Sequence, residues 1–541
     1  MTRTVDGVPD SAEDRTGQGT WPRPAPLPRH RWSQVQVHEW IDIAARRCPD
    51  RDCLVTPERS LTFAEVRDQV RSVARALQRR GLRAGERVAI LDTDSPEYVE
   101  TILAVLKLGA VIVPLNYRLA AGEIETLLRA AEATWIVVGE RYVPDVLEMA
   151  PRLEYLHGIV GFDATPGTIP YAGLVAEDAG GLVEAAVDEE DILALAFTSG
   201  TTGLPKGVMQ SQRMWKHVTS NSMLEYRFGW DEFRYSGSPL FHVAGMNQVL
   251  KAICRGSTSL ILRQWDPAAL LPWFRRGLTG VFLVPTMLSA LLDQPGVSAD
   301  DFASLRSMYY GAAPMSPGLL RRAMALMSVD FFNGFGAGTE AGMQTVLTPE
   351  DHRRALAGET HLLGSVGRPG HNIDLQIRDD DGNALPPGEV GEIVSRSDMT
   401  MSGYHGQPER TAESFSDGWF SGGDLGYLDE QGYLHLAGRK SDMIIRGGEN
   451  VYPPEIEDVL GSFPGVAECA VVGTPDEYWG EVVRAHVVPV PGAEPDTGAM
   501  AVFCRARLAA YKVPGEFRIH TETLPRNAAG KVLRRVLREQ P

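Results

Sequence analysis

The chain is 541 residues long, carries a formal net charge of −17 and is 43% hydrophobic. That length is too great for one hydrophobic core, so two or more domains are expected. The acidic balance argues against a broad nucleic-acid or anionic-membrane surface, but it leaves room for a nucleotide in a locally basic cleft.

Residues 1–30 are rich in Pro, Gly and charge, lack the apolar core of a signal peptide and read as a flexible tail. Val66, Val70, Val73, Ala74 and Leu77 then recur at helical spacing, with Gly81 as a stop. Residues 87–91 read as a short strand. Tyr98, Ile102, Val105 and Leu106 make a second helical stripe closed by Gly109, and 111–114 and 135–138 read as further buried strands. This alternation predicts α/β layers around a mostly parallel sheet. The five cysteines (Cys48, Cys53, Cys254, Cys469 and Cys504) form no zinc-type pairs and read as reduced thiols of a cytoplasmic protein. No apolar run is long enough to span a membrane.

The apolar run from Ile192 to Phe197 feeds a loop, Thr198-Ser199-Gly200-Thr201-Thr202-Gly203-Leu204-Pro205-Lys206-Gly207. Glycines let a backbone approach a polyanion and turn its N–H groups toward phosphate oxygens. Thr198, Ser199, Thr201 and Thr202 add hydroxyl donors, and Lys206 adds a positive charge. The spacing is not that of a Walker A loop. A plain Gly/Thr-rich turn has the same composition.

Further along, His242 stands in the apolar run 239–246, where a satisfied core or surface histidine is the commoner occupant. Residues 281–285 read as a buried strand stopped by Pro285. Two Gly-rich strings follow, Tyr309-Tyr310-Gly311-Ala312-Ala313-Pro314 and Asn333-Gly334-Phe335-Gly336-Ala337-Gly338-Thr339-Glu340. Then come Trp419-Phe420-Ser421-Gly422-Gly423-Asp424-Leu425-Gly426, a hairpin-like segment ending at Arg439, and Arg439-Lys440-Ser441-Asp442 running into Arg446-Gly447-Gly448-Glu449-Asn450. The chain closes on Pro525-Arg526-Asn527-Ala528-Ala529-Gly530-Lys531.

In order and in spacing, these strings resemble the motifs of the adenylate-forming superfamily, and within it the acyl-CoA synthetase branch of acid–thiol ligases. The resemblance covers nearly the whole chain after residue 30. It implies an α/β fold: a large, multi-subdomain N-terminal domain with mostly parallel sheets (31–440), a hinge (438–443) and a small, mobile α+β C-terminal domain (444–541). The implied chemistry joins a carboxylic acid to ATP as acyl-AMP with release of pyrophosphate. The thiol of CoA then displaces AMP.

The roles that follow from the resemblance are specific. The loop from Thr198 to Lys206 holds phosphates. Gly311, Ala312 and Ala313 cradle adenine, with Asn333 and Gly334 beside them and Phe335 stacking on the ring where the family usually has Tyr. Thr339 contacts phosphate, and Glu340 holds Mg²⁺. Asp424 and Arg439 contact the ribose. His242 closes one side of the carboxylate pocket, and Val243, Met246, Tyr310 and Met343 line an acyl pocket suited to an apolar or bulky acid. Ser441 is the pivot. Gly447 and Gly448 border the pantetheine tunnel, and Arg446 is a candidate CoA phosphate contact. Lys531 enters the site in the adenylating pose and stabilises charge on the α-phosphate.

Two departures stand out. The family has one residue between the Gly of the Phe335-Gly336 pair and the Thr of Thr339-Glu340; this chain has two, Ala337 and Gly338. Its ribose motif also carries Gly422 where the family has Thr. One residue of extended chain spans up to ~3.6 Å, and misplacing reactive groups by about 1 Å costs on the order of a hundredfold in rate. An extra residue bulging inward would block ATP and Mg²⁺ and spare thioester formation; one bulging outward would change nothing. Three alternatives therefore stand beside the full ligase: a thioester-forming enzyme fed with acyl-AMP by a separate adenylating enzyme, an adenylation enzyme that loads a carrier protein, and a non-catalytic acid or nucleotide sensor. No carrier domain is present in the sequence.

Overall fold

The computed structural model describes residues 35–198, 206–313, 315–526 and 532–540. The expected first helix spans Phe63–Arg79 and begins with a reciprocal cap: Thr62 accepts from the Glu65 N–H while the Glu65 carboxylate accepts from the Thr62 N–H. Its apolar stripe is buried, and the chain leaves it through Gly81 at φ +100°. The second, Pro96–Lys107, starts on a Ser95 cap with Pro in its first turn, where proline lacks nothing it needs.

Among the described residues the strands form four sheets. One has eight strands, with 87–91, 111–114, 135–138, 158–161, 169–170 and 192–198 parallel. The strand Lys206–Ser211 then returns antiparallel to Ile192–Thr198, with Thr198 opposite Lys206. The second sheet has nine strands and a parallel centre that includes Phe233–Ser236, Gly280–Phe282, Ser307–Gly311 and Asp330–Phe335. A five-stranded antiparallel sheet spans 374–439. The last sheet is built from 444–446, 449–451, 466–476, 480–489 and 516–519, with helices Pro453–Gly461 and Thr497–Arg505, and encloses its own core around Ile456, Val471, Val483 and Met500. The fold is thus a large α/β portion with mixed, mostly parallel sheets and a smaller C-terminal domain.

Two local expectations change. The strand near 281 ends at Phe282, and Pro285 does not merely stop it: it opens the helix Pro285–Leu292, its fixed φ suiting a first helical turn. The glycine loop joins two antiparallel strands, so Lys206 is the first residue of a strand rather than the tail of a loop. Lys107, in the apolar stretch 106–116, is fully buried between Asp42 and Glu184.

Candidate active site

The strands Ser307–Gly311 and Asp330–Phe335 run parallel and end side by side, with Gly311 opposite Gly334. A Cβ on Gly311 would lie 2.4 Å from the Gly334 carbonyl oxygen, so the approach requires glycine there. The next residue, Ala312, sits at φ +63°, a conformation that costs a non-glycine residue about 1 kcal/mol or more and collects at ligand-binding turns. Carboxyl ends of parallel strands are the usual ligand edge of such sheets. Asn333 bonds the Tyr310 hydroxyl. Phe335 remains half-buried and packs on the cluster of Leu375, Ile377 and Ile393.

The Ala337-Gly338 segment lies just beyond. Ala337 caps a four-residue helix, Gly338–Ala341, and its methyl joins the cluster of Val208, Met214 and Phe420. The two motif residues that follow are tied down. Gln210 Nε2 donates to the Thr339 carbonyl at 2.7 Å, and the Met401 N–H donates to the Glu340 carbonyl at 2.7 Å. Gln210 is itself fixed by the Trp215 indole N–H at 3.1 Å. The Glu340 carboxylate accepts from the Tyr404 hydroxyl, and the Lys206 ammonium lies 5.1 Å from the centre of the Tyr404 ring. Burial, with the negative charge of Glu340, pushes the Tyr404 hydroxyl up to about 12, so it stays a donor at neutral pH. Lys206 and Glu340 therefore share Tyr404 at one edge of the site.

Asp424 and Arg439 face each other across an antiparallel pair and are joined at 3.0 Å. His242 is exposed and caps the helix Val243–Arg255, its Nδ1 accepting from the Ala244 N–H at 3.1 Å. That bond assigns any ring proton to Nε2. The cap needs glycine at 245, where a Cβ would stand 2.1 Å from the Pro239 carbonyl oxygen. A Cβ on Gly338 would lie 3.5 Å from Val243, so the histidine motif and the Thr339-Glu340 loop adjoin.

The acyl-side residues divide. Met343 and Ala244 border a layer of rings that the sequence did not single out: Tyr226 and Tyr309 with centres 4.4 Å apart, and Tyr309 and Phe332 at 5.1 Å. Tyr310, expected in the pocket wall, points to the other face of its strand and bonds His352 Nε2 at 2.8 Å. Met246 is 1% exposed within the main core rather than at an opening. Below the rings, Lys251 is fully buried with its ammonium 5.0 Å from the Tyr226 ring and 4.9 Å from the Phe228 ring; burial holds its pKa well below the ordinary lysine value.

In the C-terminal domain Arg446 is committed internally. Its Nη1 donates to the Tyr511 carbonyl at 2.8 Å and the Val513 carbonyl at 3.3 Å, and the guanidinium lies against Trp479. Gly447 and Gly448 both have positive φ; a Cβ on the first would meet Trp479 at 2.8 Å, and nothing lies within 4 Å of the second. Lys440 reaches Asp380 at 2.8 Å and Glu392 at 3.3 Å, whereas the Ser441 carbonyl accepts from Arg538 at 3.3 Å. Ser199, Gly200, Thr201, Thr202, Gly203 and Lys531 lie outside the described residues, as does the 1–30 tail.

No group of three or more His, Cys, Asp or Glu side chains able to hold a metal occurs among the described residues. One carboxylate at Glu340 suits Mg²⁺, which is commonly held by one or two carboxylates together with substrate phosphates and water.

Two family models match the chain: AMP-binding enzyme over residues 41–405 and AMP-binding enzyme C-terminal domain over 455–531. A fatty acid–[acyl-carrier-protein] ligase, ScoC, of Streptomyces coeruleorubidus is 35% identical over 92% of this chain and 94% of its own length. A feruloyl-CoA synthase of an Amycolatopsis species is 35% identical over 93% of this chain and 98% of its own. Among solved structures, the amide bond synthetase McbA from Marinactinospora thermotolerans superposes with a TM-score of 0.84 at 32% identity, over 93% of this chain and 99% of that one.

Proposed function

This chain belongs to the AMP-binding enzyme family of adenylate-forming acid–thiol ligases, and on that premise we propose that it carries out both half-reactions, making an acyl-CoA from an apolar or bulky carboxylic acid, ATP and CoA. The observation that carries this reading is the anchoring of Thr339 and Glu340. Their carbonyls are held by Gln210 and Met401, and the Glu340 carboxylate meets the same tyrosine as Lys206. Ala337, just before Thr339, packs on the cluster that holds Phe420, which supports a path for the extra residue away from the pair.

In this reading Lys206 and the hairpin loop it closes hold the triphosphate. Glu340 and Thr339 face the phosphate side, where the Glu340 carboxylate would hold Mg²⁺ and the ion would supply charge neutralisation to the phosphate oxygens. The turn at Gly311, Ala312 and Ala313 and the ring of Phe335 hold adenine, and Asp424 with Arg439 holds the ribose. A carboxylate oxygen of the acid attacks the α-phosphorus and pyrophosphate leaves. Lys531 supplies a cation to the charge that develops. The CoA sulfur then attacks the acyl carbon and AMP leaves with the bonding pair. The break between the ties of Lys440 to the large domain and of Ser441 to Arg538 supports a pivot at Ser441. The rings of Tyr226, Tyr309 and Phe332 favour an apolar or aromatic acyl group.

The test separates the steps. A panel of apolar and aromatic acids is screened for ATP-dependent pyrophosphate release, and their synthetic acyl-adenylates are assayed with CoA for thioester and AMP. Both are expected to proceed. Thioester formation without pyrophosphate release, for any acid whose adenylate is consumed, would overturn the two-step reading in favour of an externally supplied adenylate. The ScoC likeness favours one second reading, in which the thiol belongs to a carrier protein; a holo-carrier protein run beside CoA in the second assay decides it.

A further inference from the structure

We infer that Asp94 is a positioning residue: from the eight-stranded sheet it holds the turn of the nine-stranded sheet that presents His242, so the place of that ring is set across both sheets. Asp94 Oδ1 accepts from the Leu240 N–H at 2.9 Å, a bond between residues 146 apart in the chain. Leu240 stands in the turn between the strand Phe233–Ser236 and the helix Val243–Arg255. The next residue meets the same sheet. The Phe241 ring is edge-on to Tyr117 with centres 5.4 Å apart, and the Arg118 guanidinium lies 5.9 Å from its centre. Asp94 follows strand 87–91 and Tyr117 follows strand 111–114, which are parallel neighbours. Two successive residues of the turn are thus gripped from one sheet edge immediately before His242.

The grip is firm at both ends. The Asp94 N–H donates to the Arg263 carbonyl at 3.3 Å, Asp92 beside it pairs with the Arg263 guanidinium at 2.9 Å, and Ser95 caps the helix Pro96–Lys107. On the other side the His242 N–H donates to the Pro239 carbonyl at 3.0 Å. A Cβ on Gly245 would fall 2.3 Å from the Ser238 carbonyl oxygen, so the turn lies directly on the first turn of the helix and a shift in one is passed to the other. Against the turn is a cavity of about 20 Å³, lined by Asp94, Ser236, Ser238, Leu240, Gly245 and Gln248, with room for about one water molecule. Truncating Asp94 enlarges that space and lets water reach the Leu240 N–H. The donor then keeps a partner while the turn loses its fixed anchor, so position suffers more than stability.

The packing stands on these bonds; the consequence for activity rests on the reading of His242 as a wall of the carboxylate pocket. Full-length parent, Asp94→Ala, Asp94→Asn, His242→Asn and the Asp94→Ala/His242→Asn double variant test it. Each is labelled with ¹⁵N-histidine, and the His242 ring signals among the twelve histidines are those lost in His242→Asn. The parent and Asp94→Asn are expected to show the Nε2–H tautomer that the Ala244 bond requires, because an amide oxygen accepts from the Leu240 N–H as a carboxyl oxygen does. Asp94→Ala is expected to show shifted or averaged ring nitrogens with a melting midpoint close to the parent's. Pyrophosphate release is followed with the acid from the panel that the parent uses best. Asp94→Ala is expected to lower its kcat/KM by about tenfold or more, as a misplaced group does, with KM for the acid rising more than KM for ATP. Asp94→Asn is expected to restore most of the loss. In the His242→Asn background Asp94→Ala is expected to cost about twofold or less, the mark of two residues acting as one.

Unchanged His242 signals in Asp94→Ala would overturn the inference. So would an equal loss of activity with and without His242, or an Asn variant as impaired as Ala. If Asp94→Ala does not fold, Asp94→Asn decides: parent-like ring signals and rate support the tie, and a folded Asn variant with averaged ring nitrogens overturns it. A parent that releases pyrophosphate with no acid would overturn the proposed function instead, while the ring signals would still decide whether Asp94 positions His242.

Discussion

His242 serves two purposes through one ring. Its Nδ1 caps the helix Val243–Arg255, and the ring is also the proposed wall of the carboxylate pocket. His242→Ala should cost about 1 kcal/mol of stability, the usual loss of an N-cap, together with activity. His242→Asn should keep the cap, and with it the denaturant midpoint, while activity stays low; restored activity in the Asn variant would leave the imidazole with no chemical part. At this scale the sequence singles out residues where a motif names them. Asp424 is paired with Arg439, and the carbonyls of Thr339 and Glu340 are held by Gln210 and Met401. It was less legible where a side chain had only its neighbours for context. Tyr309 and Tyr310 are adjacent in a strand, and which of them faces the rings and which faces His352 depends on register. Tyr226, Phe332 and Lys251 lie in three distant segments, and nothing local says that they meet.

Among the elements, the segment after the hinge shows most clearly how a surface assignment can fail. Arg446 reads as an exposed cation in a glycine-rich turn, yet it binds two carbonyls of a segment 65 residues later. Such a long-range clasp has no local signature. Arg446→Met should therefore lower stability by about 1–3 kcal/mol, the cost of stripping donors from carbonyls held by a charged group, and leave the KM for CoA unchanged; a selective rise in that KM would return the residue to CoA binding. Helices with strong periodicity were legible to within a few residues, as at Phe63–Arg79 and Pro96–Lys107. The hairpin partner of Ile192–Thr198 was not, because a glycine loop of this kind serves equally before a strand or a helix.

Across the whole molecule, buried ionisable groups set two opposing pH slopes. Burial lowers His38, His352 and His486 to about 4, aided at His38 by Lys107 and at His486 by His520. These rings are neutral in the fold, so their contribution is complete above the ordinary histidine value of 6.5 and is lost as pH falls from there toward 4. Burial raises Glu100, bonded by the Tyr171 hydroxyl at 3.0 Å, to about 8. Its contribution is complete below its ordinary value of 4.5 and is lost as pH rises from there to 8. Glu100→Gln should thus flatten the loss of stability between pH 5 and 8, measured by chemical denaturation, and leave the acid side as it was; an unchanged slope would mean that Glu100 ionises freely in the fold. The chain around the pivot carries a different consequence. Lys440 is held to the large domain by Asp380 and Glu392, and Arg538 reaches Ser441 and lies 3.9 Å from Asp442, all through ion pairs and bonds open to solvent. Exposed pairs are each worth about 1 kcal/mol or less and fade as the screening length shrinks to about 3 Å in molar salt. On the proposed pivot at Ser441, the balance between domain poses would be a property of the surrounding electrolyte as well as of the substrates, and two laboratories working in different buffers would sample different mixtures of the same enzyme.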